Sequence, residues 1–283
     1  MQTFVTRDEI NQWRKQLMQD RRKLGFVPTM GALHKGHLSL IERASVENDA
    51  VLVSIFVNPK QFNQQTDLLA YPRMLDADIA LLKALPNVFI FAPNETEMYP
   101  FGLPFEPMQL GEVGAILEGA KRPGHFDGVV HVVHHLFELI APNRAYFGEK
   151  DFQQLVVIRK LNDYYQFGIE IIACPTERDP DGLAMSSRNL RLSAEERQKA
   201  LSIFKALTFI KENTGKNPIE TTRNRAIQII EDAGLLLDYL EIVDPASLKP
   251  CKSWQQTQRC CVAAFCGEVR LIDNMLCESV KLP

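Results

Sequence analysis

A doubly wound parallel α/β sheet followed by a smaller α+β domain is the fold class this sequence predicts. Through the first two-thirds, short strands apolar on both faces alternate with helix-length segments, the pattern of a parallel sheet covered by helices. After the run Asp179-Pro180-Asp181-Gly182 the order changes to two helices and then three strands. The 283 residues are 46% hydrophobic and 24% charged, enough apolar side chain for a sizeable core. The domains expected are 1–175 and 176–283, with the Asp-Pro-Asp-Gly run as a hinge.

The elements follow in order. Thr6 and Glu9 have capping-box spacing and open a helix to about Arg22. "LGFVPTM" is a strand; a helix from about Gly36 to Asn48 leads to the strand "AVLVSIFV". Residues 68–85 read as a helix broken at Pro72, and "VFIFAP" as the next strand. "GVVHVVHHLFELIA" is a helix, "AYFGEK" a short strand, "DFQQLVVIRKLNDYY" a helix and "IEIIACP" a strand. Beyond the hinge, Ser193 and Glu196 repeat the capping box before a long helix, and a second helix runs from about Ile219 to Ala233. "DYLEIVD", "RCCVAAFC" and "LIDNM" are strands. Right-handed crossovers give the doubly wound topology, whose ligands lie beyond the carboxyl ends of the strands. Polar residues after "FVPTM", "SIFV" and "AYF" should meet in one crevice.

Net charge is −3, which argues against a general affinity for nucleic acid or anionic membrane. The apolar runs are strand length, too short to span a bilayer, and charges at the N-terminus stand where a signal peptide needs an apolar block. A cytoplasmic protein is expected. No C-x-x-C pair occurs among Cys174, Cys251, Cys260, Cys261, Cys266 and Cys277, so reduced thiols serving as small hydrophobes are expected. Cys260 and Cys261 should point to opposite faces of a strand.

His34 and His37 form H-x-G-H at the mouth of a helix. Helix N-termini present free N–H groups and positive partial charge, and Gly36 permits close approach, so phosphate binding is one reading. A zinc site lacking its further ligands and a structural pair are the others. "MSSR", residues 185–188, adds hydroxyls and a guanidinium suited to polyphosphate on a flexible loop. His131, His134, His135 and Glu138 share one side of a helix, opposite a stripe of Val129, Val130, Val133, Phe137 and Ile140. His-x3-His on a helix can bind metal, but the opposite stripe accounts for burial, and a solvated or dimer-facing polar side is the expectation there.

Together with H-x-G-H on a doubly wound sheet, "MSSR" resembles the paired signatures of Rossmann-like nucleotidylyltransferases. The segments "VPTMGALHKGH", "VSIFVNPKQF", "YPR", "LEGAKRPGHFDGV", "FGEKDFQQL", "DGLAMSSRN" and "RLIDN", in that order over nearly the whole chain, resemble the pantothenate synthetase family. The resemblance implies an AMP-forming ligase that joins pantoate to β-alanine with ATP and magnesium, acting as a homodimer. It implies that ATP is bordered by Met30, Gly31, Ala32, Leu33, His34, Lys35, Gly36 and His37, by Gly148, Glu149, Lys150 and Asp151, and by Glu177, Met185, Ser186, Ser187 and Arg188. Catalytic roles fall to His37, His34, Lys150, Arg122, Ser186, Ser187 and Arg188. Gln61, Gln154 and Asn58 would hold pantoate, with Gln61 also near β-alanine. Asp78 is a candidate magnesium ligand, although Ala77 interrupts the acidic run of the family there. Glu177 is charged where the family more often has an apolar residue. A nucleotidyltransferase that stops at a nucleotide-linked product and a non-catalytic nucleotide sensor are the rival readings.

Overall fold

The computed structural model describes residues 1–103 and 105–279. They divide into two compact units, Met1–Gly148 with Gln154–Pro175, and Glu149–Gln153 with the chain from Thr176 onward.

The first unit is built on six parallel strands: β1 (Thr3–Phe4), β2 (Leu24–Thr29), β3 (Ala50–Ile55), β4 (Val88–Phe91), β5 (Arg144–Gly148) and β6 (Glu170–Cys174). Their order is β1-β4-β3-β2-β5-β6. β2 pairs with both β3 and β5, so the winding reverses there, and a doubly wound sheet opens its crevice at that reversal. β1 is absent from the sequence reading because two residues carry no periodicity; its pairing with Ile90 and Phe91 creates it.

The helices of this part of the chain are α1 (Arg7–Gln19), α2 (Lys35–Glu47), α3 (Gln65–Ala70), α4 (Leu75–Leu82), α5 (Glu95–Met98), α6 (Glu118–Lys121), α7 (His125–Ile140) and α8 (Phe152–Tyr164). The capping box opens α1, where Thr6 Oγ1 accepts from Glu9 N–H and Glu9 accepts from Thr6 N–H. The helix ends at Gln19, three residues before the expected Arg22. The break at Pro72 is real and separates α3 from α4. Val27, Ile41, Val51, Val53, Leu82, Ile90 and Tyr146 pack one core between α2, α4 and the sheet.

In the second unit α9 (Ala194–Asn213) and α10 (Ile219–Asp232) cover the antiparallel sheet of β7 (Leu236–Val243), β8 (Thr257–Cys266) and β9 (Val269–Glu278). All six cysteines are free and buried, as small hydrophobes are. The run Asp179–Gly182, expected as the hinge, forms a closed turn. Asp179 N–H donates to Leu183 O and Gly182 N–H to Asp179 O, while Arg197 of α9 holds Asp179 at 2.9 Å and Asp181 at 3.0 Å. Gly182, at φ +96°, lies against the Phe204 ring, which excludes a side chain.

Candidate active site

The H-x-G-H segment caps its own helix. His34 is the N-cap of α2, with its Nδ1 accepting from Gly36 N–H at 3.1 Å. His37, at the third helical position, accepts the His34 N–H on its own Nδ1 at 3.4 Å. This corrects the expectation of open backbone donors: Gly36 N–H is taken by an imidazole, and His37 N–H by the His34 carbonyl. An imidazole that accepts at Nδ1 is, in its neutral form, protonated at Nε2. Each neutral ring then carries its proton on Nε2, and the two ring centroids are 4.0 Å apart.

The loop before them is fixed from below. Thr29 Oγ1 donates to Ser54 O and accepts from Gly31 N–H. Asp78, buried at the start of α4, accepts from Ala32 N–H at 2.9 Å and Leu33 N–H at 2.7 Å. Gly31 (φ +81°) and Ala32 (φ +49°) are both left-handed, a conformation that costs a non-glycine residue energy and persists where the surroundings hold it. Burial pushes the Asp78 carboxyl up, against the two N–H bonds that pull it down. Asp78, expected as a magnesium ligand, thus serves the loop with both oxygens. Asp78→Asn is expected to leave one N–H facing an amide NH2, costing roughly 1–3 kcal/mol of stability and raising KM for ATP. Thermal unfolding and steady-state kinetics check this; recovery of the wild-type rate at raised magnesium would restore the metal reading.

After β3 the chain makes a 3-10 turn, Pro59–Gln61, capped by Asn58. Asn58 is buried and fully engaged: Oδ1 accepts from Tyr99 OH and Lys60 N–H, and Nδ2 donates to Gln61 Oε1 and Gly128 O. Its Nδ2 bond to Oε1 orients Gln61. Burial, with Glu95 nearby, pushes the Tyr99 phenol well above its ordinary value, so it stays a donor. His125 Nδ1 lies 2.8 Å from Gln61 O, which can only accept, so Nδ1 carries the proton and Nε2 accepts from Arg122 Nη1 at 3.1 Å. Arg122 also lies 3.6 Å from Glu118. Gln61 Nε2 donates to Met30 Sδ at 3.0 Å, joining this turn to the H-x-G-H loop. A cleft of about 410 Å³ opens over the carboxyl ends of β2, β3 and β4, lined by Met30, Gly31, Pro59, Arg73 and Asp78 among others.

The family model described as pantoate-beta-alanine ligase matches residues 2–276. The chain belongs to the pantoate–β-alanine ligase family. The pantothenate synthetase of Bacteroides fragilis is 49% identical over 90% of this chain and 91% of its own length. That of Thermosipho africanus is 42% identical over 95% and 97%. The crystal structure of pantothenate synthetase from Thermus thermophilus superposes with a TM-score of 0.91 at 44% identity, covering 97% of this chain and 99% of that one. The Francisella tularensis pantoate-beta-alanine ligase, described as complexed with beta-gamma ATP and beta-alanine, gives a TM-score of 0.81 at 39% identity over 98% and 97%.

Of the positions expected in a pantoate–β-alanine ligase, Gly148 closes β5 and Gln154 stands half-buried in the first turn of α8. β5 pairs with β2, so Gln154 follows the strand next to the one that leads to His34. The turn Glu149–Asp151 is held within the second unit. Asn274 Nδ2 donates to the carbonyls of Glu149 and Lys150, Arg259 pairs with the Glu149 carboxylate at 3.1 Å, and the same guanidinium lies over the Phe152 ring. The "MSSR" segment, expected to be a flexible loop, is an ordered 3-10 turn, Ser187–Arg191, whose cap Ser186 accepts from Arg188 N–H. Ser187 is buried, Met185 and Arg188 are half-buried, and Glu177 is exposed with its carbonyl taken by Met185 N–H.

Tyr99, Thr29 and Gly128 were not singled out from the sequence as site residues. Tyr99 stands 41 positions from Asn58 in an irregular stretch with no motif to mark it. Gly128 lay inside the recognised "GHFDGV" segment, where the close approach of another backbone is the signal a glycine gives.

Proposed function

We propose that this ligase condenses pantoate with β-alanine using ATP, releasing AMP and pyrophosphate by way of a pantoyl adenylate. The observation that carries the reading is the Gln61–Met30 contact, which sets the acid-side glutamine beside the self-capped histidine loop. A thioether is a weak acceptor, so a carboxylate or hydroxyl oxygen of pantoate readily replaces it on the Gln61 amide.

In the first step a pantoate carboxylate oxygen bonds to the α-phosphorus as the bond to the β-phosphate oxygen breaks. Charge grows on the departing pyrophosphate, where Nε2–H groups of His34 and His37 donate to its oxygens. Gln61, held by Asn58 and His125, keeps the nucleophile in line, with Gln154 assigned to the same substrate. In the second step the neutral amine of β-alanine bonds to the acyl carbon, AMP leaves with the bonding pair of the acyl–oxygen bond, and the nitrogen gives up one proton to solvent. Lys150, Arg122, Ser186, Ser187 and Arg188 keep the phosphate-side roles the resemblance gives them, each open to test by substitution.

Magnesium enters with ATP and neutralises phosphate charge when bound; with Asp78 engaged by the loop, phosphate oxygens and water are its natural ligands. A homodimer and a cytoplasmic setting belong to the same reading. Among the described residues no helix is long and apolar enough to cross a membrane.

The test supplies ATP, pantoate and β-alanine together, then omits each. Pyrophosphate should form with ATP and pantoate alone in a single turnover, and steady release of AMP should need β-alanine. Oxygen-18 in the pantoate carboxylate should appear in AMP. Label in inorganic phosphate, with ADP as the other product, would mean attack on the γ-phosphorus and overturn the adenylate.

A further inference from the structure

Helix α7 carries a polar cluster that the ligase chemistry does not use. The expectation of a solvated face is wrong for two of its members: His134 is 7% exposed and His135 1%, closed in by aromatic rings. Tyr165 and Phe167 stand edge-on to His134, and Phe105 stacks on His131 while meeting His134 and His135 at its edge. Glu138, one turn on, keeps its side chain 48% exposed.

The orientation of the rings is the informative feature. Nδ1 of His134 lies 3.4 Å, and Nδ1 of His135 3.7 Å, from the same oxygen, Oε2 of Glu138. The ligand atoms of the three residues lie within 4.8 Å of one another. Neither Nδ1 has a hydrogen-bond partner, although both atoms are buried. Buried polar atoms are normally paired, so two left open toward one carboxylate need a cause. Two N or O ligands about 2.0–2.1 Å from a tetrahedral ion stand roughly 3.3–3.4 Å apart. The separations to Glu138 are within a few tenths of an ångström of that edge.

The outer groups fit as well. A ligating imidazole usually donates its other N–H to a fixed acceptor, and His135 Nε2 lies 3.0 Å from His131 Nε2. Metal ligation at Nδ1 places the His135 proton on Nε2, aimed at that acceptor. The positive charges near the cluster are Lys60, 3.4 Å from His131 Nδ1, and Arg7.

We propose that His134, His135 and Glu138 form a three-ligand site for a divalent transition ion of the zinc, cobalt or nickel class. Two imidazoles select such ions over magnesium, which prefers oxygen. The exposed Glu138 gives the ion its entry path and leaves a fourth position for water. The site is separate from the cation that accompanies ATP.

Equilibrium dialysis of untagged, metal-stripped protein against Zn2+, with Co2+ absorption as a second probe, tests this. One equivalent should bind, and Co2+ should show a ligand-field spectrum without thiolate charge transfer. Glu138→Gln, at an exposed position, and His134→Gln should each weaken binding about tenfold or more. His37→Ala should leave it within about twofold. Circular dichroism confirms that the variants are folded, and Glu138→Gln alone suffices if His134→Gln is not. Any other pattern overturns the site: no stoichiometric ion, an ion indifferent to Glu138→Gln, or one lost with His37.

Discussion

Replacing His37 by alanine is expected to slow adenylate formation roughly 10²-fold or more, the loss seen when one preorganised donor to a developing anion is removed. The structure adds a complication to this experiment. His37 Nδ1 also accepts the His34 N–H, so the alanine variant loses part of the cap of α2. A lost cap costs about 0.5–2 kcal/mol of stability. His37→Asn separates the two effects. Asparagine supplies a short-range acceptor at the same helical position but no Nε2–H reaching outward. It should fold nearly as well as the parent and still adenylate slowly in a single turnover. If His37→Asn recovers the parent rate, the ring serves only the cap and its catalytic assignment fails.

Gly128→Ala is expected to cripple the acid side of the site while sparing the phosphate side. A Cβ at Gly128 would lie 2.6 Å from Gln61 N, and closer still to the carbonyl of Lys60. These are backbone atoms and cannot swing aside as a side-chain tip could. Overpacking of this kind costs typically 1–3 kcal/mol, occasionally more. The displaced segment is the turn that aims Gln61, and Gly128 O is one of the two acceptors that orient Asn58 Nδ2. A shift near 1 Å there should lower kcat/KM for pantoate by up to about 10²-fold. KM for ATP should change little, because Thr29 and Asp78 hold the histidine loop independently. Equal damage to both substrates would show that the turn and the loop move as one piece.

Apart from β1, the strands and the long helices were legible because each carries its signal locally. The capping boxes at Thr6 and Ser193 are read from four residues each, and the two-sided apolar strands from five or six. The site was legible in part for a different reason: long motifs placed Gln61, His34 and His37 through family resemblance. What neither route supplied was the way these residues are supported. Asp78 looked like a metal ligand because acidity is visible in a sequence, whereas the two N–H groups that claim it come from a loop more than forty positions away. Asn58 was placed beside pantoate by the resemblance, which says nothing of its four partners, the farthest of them Gly128. His134 and His135 were taken for surface because the helical period has only two sides to offer. The segment that packs aromatic rings against that side, with Phe105, has no pattern of its own.

The Glu149–Gln153 segment has a practical meaning for anyone recombining members of this family. Gene fusions are usually cut where the chain passes from one compact unit to the next, which here suggests a junction near residue 175. Yet Glu149 and Lys150 are clasped by Arg259 and Asn274, more than a hundred positions downstream. A hybrid spliced at 175 would join one parent's clasp to the other parent's turn. The five residues therefore behave as an heirloom of the C-terminal half, and should be inherited with it wherever the crossover is made.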